Sequence, residues 1–142
     1  MSGLLLAVAL CVQGINPDYH CTPGVAFPVT AAQVCVKGYS GGVRDVSEAT
    51  KRSVMTAYGV DPKKHPKLEI DHLISLELGG SNDAHNLWPE MQDPRPGFRE
   101  KDHAENYLHS QMCDGKITLQ EAQRRIVNDW VGAYKEYQAA KK

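Results

Sequence analysis

The stretch that decides the fold runs from Glu69 to Glu90 and reads EIDHLISLELGGSNDAHNLWPE. Leu68 to Glu77 suits a short strand and its extension. Gly79-Gly80-Ser81-Asn82-Asp83 is a strong turn signal, because glycine supplies unusual dihedrals and Asn and Asp side chains bond their own backbone. Asn86-Leu87-Trp88 forms a second short strand, ended by Pro89. A loop with two prolines, Met91 to Gly97, leads into a helix from about Phe98 to Met112, with Gly115 beyond its end. Strand, turn, strand and helix in that order predict the centre of a small α+β domain.

Outward from this centre the signals are local. Residues 13–42 are rich in Gly and Pro and read as extended chain and turns wrapping the core. Ser47 is a fair N-cap for a helix running to about Tyr58, with Gly59 as its stop. Asp61 to Lys67 is a basic loop broken by proline. Thr118-x-x-Glu121 is a capping-box pattern. It opens a last helix whose apolar face includes Ala122, Ile126, Trp130, Tyr134 and Tyr137, most simply a core-packing element. Its exposed Arg124-Arg125 pair could touch phosphate, but a solvated face is the simpler expectation.

The chain has 142 residues, one domain's worth, and a formal net charge of -1. That balance excludes a strongly basic coat protein and an acidic solvating tail. No apolar run reaches the roughly 20 residues that a membrane-spanning helix needs. Leu4 to Val12 reads LLLAVALCV, the length of a signal-peptide core, although no base precedes it. A signal-like segment over 1–14 and a single domain over 15–142 follow. The location is then secreted or periplasmic, with a cytoplasmic chain as the alternative. Four cysteines, Cys11, Cys21, Cys35 and Cys113, lack any C-x-x-C pair, so no zinc knuckle is indicated. An exported chain would hold one disulfide among Cys21, Cys35 and Cys113, with Cys35–Cys113 the pair expected; a cytoplasmic one would bury four thiols.

Charge is unevenly spread. From Lys37 to Lys67 there are seven bases against three acids, and from Leu68 to Pro94 six acids with no Lys or Arg. Arg95, Arg99 and Lys101 follow. Such an order could set a cation and a polyanion side by side, or it could be solvated faces. Asp71 and His72 are neighbours on a strand, so their side chains point to opposite sides. A carboxylate is the right donor for a hard divalent cation. An imidazole of pKa ~6.5 suits a general base near neutral pH. No spacing singles out a carboxylate pair for glycoside hydrolysis.

The segment resembles the HNH, or ββα-metal, endonucleases, on Asp71-His72, the Gly79–Asp83 turn and Asn86-Leu87. More narrowly, the chain is similar to a group of small, often exported bacterial and phage HNH proteins. Cys21-Thr22-Pro23-Gly24, Val29-Thr30, Cys35-x-x-Gly38-Tyr39 and Val43-Arg44-Asp45-Val46-Ser47 match that pattern. So do Lys101-Asp102, Glu105-Asn106, Cys113, Gly115, Ala122-Gln123 and Asp129-Trp130, extending the resemblance over about residues 20–131.

The resemblance implies a ββα-metal core over about 68–112 with flanking helices and an irregular N-terminal segment. It implies His72 as general base, Asp71 as metal ligand, and Asn86 as an orienter of loop and base, with metal contact second. The family's third ligand would fall nine residues past Asn86, at Arg95, which cannot ligate. Asp102, Glu105, Asn106 and His109 share one face of the following helix and could complete the site, Asp102 and Asn106 ranking first. The expected cofactor is a divalent metal, Mg²⁺ or Mn²⁺ ahead of Zn²⁺. The expected partner is DNA, with RNA as the alternative, gripped by Lys63, Lys64, Lys67, Arg95, Arg99 and Lys101 through its backbone and so with weak sequence preference. A non-catalytic module binding nucleic acid or another anionic polymer is the competing function. Arg44 is either a phosphate contact or an internal ion-pair partner. Trp88 either stacks on a base or fills the core; the strand position favours the core.

Overall fold

The computed structural model describes residues 10–142. The apolar stretch from Leu4 lies outside them except for Leu10 to Val12. The architecture is α+β: five α-helices, three short 3₁₀ turns and one two-stranded antiparallel sheet among the described residues. The Gly/Pro-rich N-terminal region is not extended throughout. It holds two short helices, α1 (Ala31–Val34) and α2 (Tyr39–Val43). The Thr30 hydroxyl accepts from the Gln33 amide while the Gln33 side chain accepts from the Thr30 amide, a reciprocal cap that starts α1. Helix α3 (Glu48–Ala57) starts at Ser47, whose side chain caps the Thr50 amide, as expected.

Strands β1 (Glu69–His72) and β2 (Leu87–Glu90) pair with Asp71 opposite Trp88 and His72 opposite Leu87. Pro89 was expected to end the second strand and instead lies inside it, opposite Ile70. A proline is tolerated where its backbone faces away from the partner strand. The Pro89 carbonyl points outward to the Gln13 side chain, 2.6 Å away.

Past β1, the alternation of side chains divides the interior. Leu73 enters one apolar cluster, with Val54, Tyr58, Leu87 and Trp88. Ile74 enters the other, with residues of α4 (Phe98–Cys113) and α5 (Leu119–Ala140) such as Leu108, Ala122, Ile126 and Trp130. Trp88 is wholly buried, so it is a core residue rather than a stacking platform.

Helix α5 starts at the Thr118 cap, as the sequence predicts, and buries Ala122, Ile126 and Trp130. It is not one straight helix. Asp129 leaves the helical range (φ -159°, ψ 61°), and its carboxylate accepts from the Gly132 amide at 2.9 Å, capping a second helical segment. The bend brings Arg125 into an ion pair with Glu136. In a straight helix residues 11 apart would lie about 16 Å apart along the axis. Both arginines are thus paired within the chain, Arg125 with Glu136 and Arg124 with Glu121 at 3.5 Å.

All four cysteines are paired, Cys35 with Cys113 as expected and Cys11 with Cys21. The boundary expected between residues 14 and 15 thus falls inside the Cys11–Cys21 loop. Two disulfides are compatible with an oxidising, extracellular location. No helix among the described residues is long and apolar enough to cross a membrane.

Candidate active site

Asn86 sits at the foot of the unit and is fully buried. Its Oδ1 accepts from the Val25 and Ile74 amides (3.2 and 3.0 Å), and its Nδ2 donates to the Ile74 and Ser81 carbonyls (3.0 and 2.8 Å). All four polar valences of the amide are spent on holding the 74–86 connection. Asn86 is thus a loop orienter and has no lone pair left for a metal. Gly80 makes this possible: a Cβ there would collide with the Ile74 carbonyl and crowd the Asn86 amide.

The connection that Asn86 holds places Asn82 against His72. His72 is 4% exposed, and its Nε2 lies 3.1 Å from Asn82 Oδ1. The Asn82 amide cannot be turned over. Its Oδ1 accepts from the Asp45 amide (3.2 Å), and its Nδ2 donates to the Val43 carbonyl (2.8 Å). His72 must therefore donate from Nε2, which leaves Nδ1 as the basic nitrogen. Burial holds the ring below the ordinary histidine pKa, against the opposing pull of Asn82 and Asp71. The imidazole is neutral at pH 7. The sequence marks Asn82 only as a turn residue; its place ten residues after His72 and its role as acceptor for a ring have no local signature.

Asp71 points the other way, toward α4, where its Oδ2 lies 3.0 Å from Lys101 Nζ. Lys101 was expected on the nucleic-acid face. Instead its side chain is 0% exposed, and its ammonium donates to Asp71, to the His72 carbonyl (2.8 Å) and to Glu105. Three donors meet three acceptors, so the buried charge is satisfied, and a phosphate cannot reach it. Burial would lower the Lys101 pKa, but Asp71, Glu105 and Glu90 raise it well above the ordinary value. Burial pushes the Asp71 carboxyl up; Lys101 and hydrogen bonding overcome this and hold it below the usual range. Glu105 is pushed up to about 8, first by burial. Glu90, on the same face of the sheet as Asp71, is 1% exposed and meets no protein donor. Burial, then the Asp71 charge, push it up to about 11, so it stays protonated and is itself a donor toward Asp71.

Asp102 and Asn106 share a cavity of about 250 Å³ with Glu77, Glu105, Ser75 and Arg44. Neither Asp71 nor His72 is among its lining residues. The Asn106 amide, turned with its nitrogen toward Glu77, donates to both carboxylate oxygens at 2.8 and 3.2 Å. Glu77 and Asp102 are each raised above the ordinary carboxyl range, first by burial. The site residues on α4 thus separate: Lys101 bridges Asp71 and Glu105, while Asp102 and Asn106 open onto the cavity. His109 leaves this group, with Nε2 at 3.2 Å from the Val34 carbonyl. Among the described residues, the group of three that converges closely enough for an ion is Cys35, His109 and Cys113, whose sulfurs form a disulfide.

Of the expected nucleic-acid contacts, Lys63, Lys64, Lys67 and Arg99 are exposed. Lys64 and Lys67 line one surface depression, and Lys67 and Arg99 a second that reaches Glu69 and Asp102. Lys67 lies 3.8 Å from Asp93 in an exposed, weak pair. Arg95 is turned elsewhere, toward Glu100 and a depression beside α5. Arg44 is exposed at the rim of the acidic cavity and has no carboxylate within 4.0 Å among the described residues. Comparison with protein-family models, curated proteins and solved structures finds no match for this chain.

Proposed function

We propose that the chain is a metal-dependent endonuclease of the HNH, ββα-metal type that hydrolyses phosphodiester bonds in DNA with weak sequence preference. The observation that carries this reading is the His72–Asn82 bond, which fixes the tautomer of a neutral imidazole and leaves Nδ1 as a base. In the reaction His72 Nδ1 takes the proton of the attacking water. Asn82 holds the ring in the productive tautomer, and Asn86 holds the loop that carries Asn82. Lys63, Lys64, Lys67 and Arg99 draw in the phosphate backbone. Arg44, at the cavity rim, is placed to neutralise a phosphate oxygen.

The donors around the cavity are oxygens, from Glu77, Asp102, Glu105 and Asn106, the set that suits Mg²⁺ or Mn²⁺ rather than Zn²⁺. Burial first, and neighbouring carboxylates after it, raise these carboxyls above their ordinary range, and a cation drawn between them would favour their charged forms. A divalent cation held there would stabilise charge on the phosphate. Asp71 then supports the site through Lys101 rather than as a ligand.

The test is conversion of supercoiled plasmid by the purified chain with Mn²⁺, with excess EDTA, and with His72→Ala. Cleavage with Mn²⁺, lost in EDTA and lost in the variant while DNA binding persists, is expected. Full cleavage by His72→Ala would discard the mechanism. A second reading has one observation in its favour: Lys101 already supplies a cation to Asp71 and Glu105. On that reading the unit binds an anionic polymer without turnover, and the plasmid stays intact under every condition.

A further inference from the structure

Helix α4 carries His109 and Cys113 four residues apart, hence on one face. Cys35, at the end of α1, meets them there. The ligating atoms of Cys35, His109 and Cys113 all lie within 4.8 Å of one another. The His109 ring is already oriented. Both ring nitrogens lie beside Cys113 Sγ, Nε2 at 3.5 Å and Nδ1 at 3.9 Å; Nε2 is also 3.2 Å from the Val34 carbonyl, and as donor there it leaves Nδ1 free. Metal-bound histidines are commonly held in this way, one nitrogen on the ion and the other donating to a backbone carbonyl.

We propose that Cys35, His109 and Cys113 form a second, thiolate-type metal site, taking Zn²⁺ when the Cys35–Cys113 disulfide is reduced. A dithiol reductant supplies two electrons and two protons and becomes a cyclic disulfide, while the Cys35–Cys113 bond opens to two thiols. Zn²⁺ then binds the two sulfurs and the His109 nitrogen, releasing two protons. Two cysteines and one histidine leave a fourth tetrahedral position open to water. The junction of α1 with α4 is held by a covalent bond in oxidising surroundings and by an ion in reducing ones. This site is separate from the oxygen-lined cavity and does not depend on nuclease activity.

The test uses the full chain, oxidised and reduced with a dithiol, incubated with Zn²⁺ and desalted, with bound zinc measured by a chromogenic chelator. A Cys11→Ser/Cys21→Ser variant removes the other pair of thiols from the count. About one zinc per reduced chain, retained in that variant and absent from the oxidised chain, is expected. His109→Ala should weaken binding at least about tenfold, on the scale of lost metal-site groups. Replacing zinc by Co²⁺ should give the absorption of a tetrahedral thiolate complex. Circular dichroism follows folding, so a chain that loosens on reduction should recover with zinc. No zinc uptake by the reduced chain, folded or not, overturns the proposal, as does equal uptake with His109→Ala.

Discussion

Nothing polar around His72 is left to chance except one nitrogen. The Nε2 side is tied to Asn82, and Asn82 is tied at both ends to the α2–α3 connection. The hydrogen bond from His72 to Asn82 favours the charged ring, while burial disfavours it more. A base works only when unprotonated, so cleavage should rise with pH through a value below the ordinary histidine ~6.5 and be flat at neutrality. Asn82→Ala should lower kcat and shift the rising limb to still lower pH, with KM for DNA little changed; an unmoved pH profile would reduce Asn82 to a loop residue. Glu90 offers a stability prediction with the opposite sign. Its folded pKa of about 11 lies above the ordinary 4.5, so its contribution is full below about 4.5 and declines as pH rises. Glu90→Gln keeps a donor toward Asp71 but has no proton to hold. The variant should gain stability over the parent at pH 8 in urea unfolding, and show almost no gain at pH 4.

At the scale of elements, the starts of helices were legible because their signals span four residues. Ser47 and Thr118 cap α3 and α5 as their sequences suggest. The Thr30–Gln33 cap of α1 was equally local, but the density of Gly and Pro around it outweighed the pattern. The bend in α5 was not legible. Asp129-x-x-Gly132 is a weak capping signal inside an otherwise continuous amphipathic face, and the bend depends on tertiary packing. A Cβ on residue 132 would collide with the capping carboxylate of Asp129 and force it to shift. Gly132→Ala should therefore cost about 1 kcal/mol, the usual worth of a cap. Equilibrium unfolding measures it, and helicity by circular dichroism should be nearly unchanged. A stabilised variant would mean that the bend straightens without penalty.

Over the whole molecule, the order strand, turn, strand, helix was readable from chain chemistry alone, and so was the pairing of Asp71 with His72 on one strand. The destination of Lys101 was not, because its partners Asp71 and His72 lie 30 and 29 residues away. A lysine beside Arg99 in a basic flank reads as solvated until the fold buries it. With Lys101 inside and Arg95 turned aside, the basic face reduces to Lys63, Lys64, Lys67 and Arg99. Replacing Lys63, Lys64 and Lys67 together by Ala should flatten the log–log dependence of DNA affinity on salt by up to about 3. Filter binding across a salt series measures it, and an unchanged slope would place the DNA elsewhere. The Cys35–Cys113 bridge has a consequence for this same face. The two cysteines are 78 positions apart, so Arg44, the lysine loop, both strands and nearly all of α4 belong to one covalent ring. A trypsin-like enzyme cutting after Lys63 or Lys64 opens that ring without shedding a fragment, and the severed ends stay tethered where they were cut.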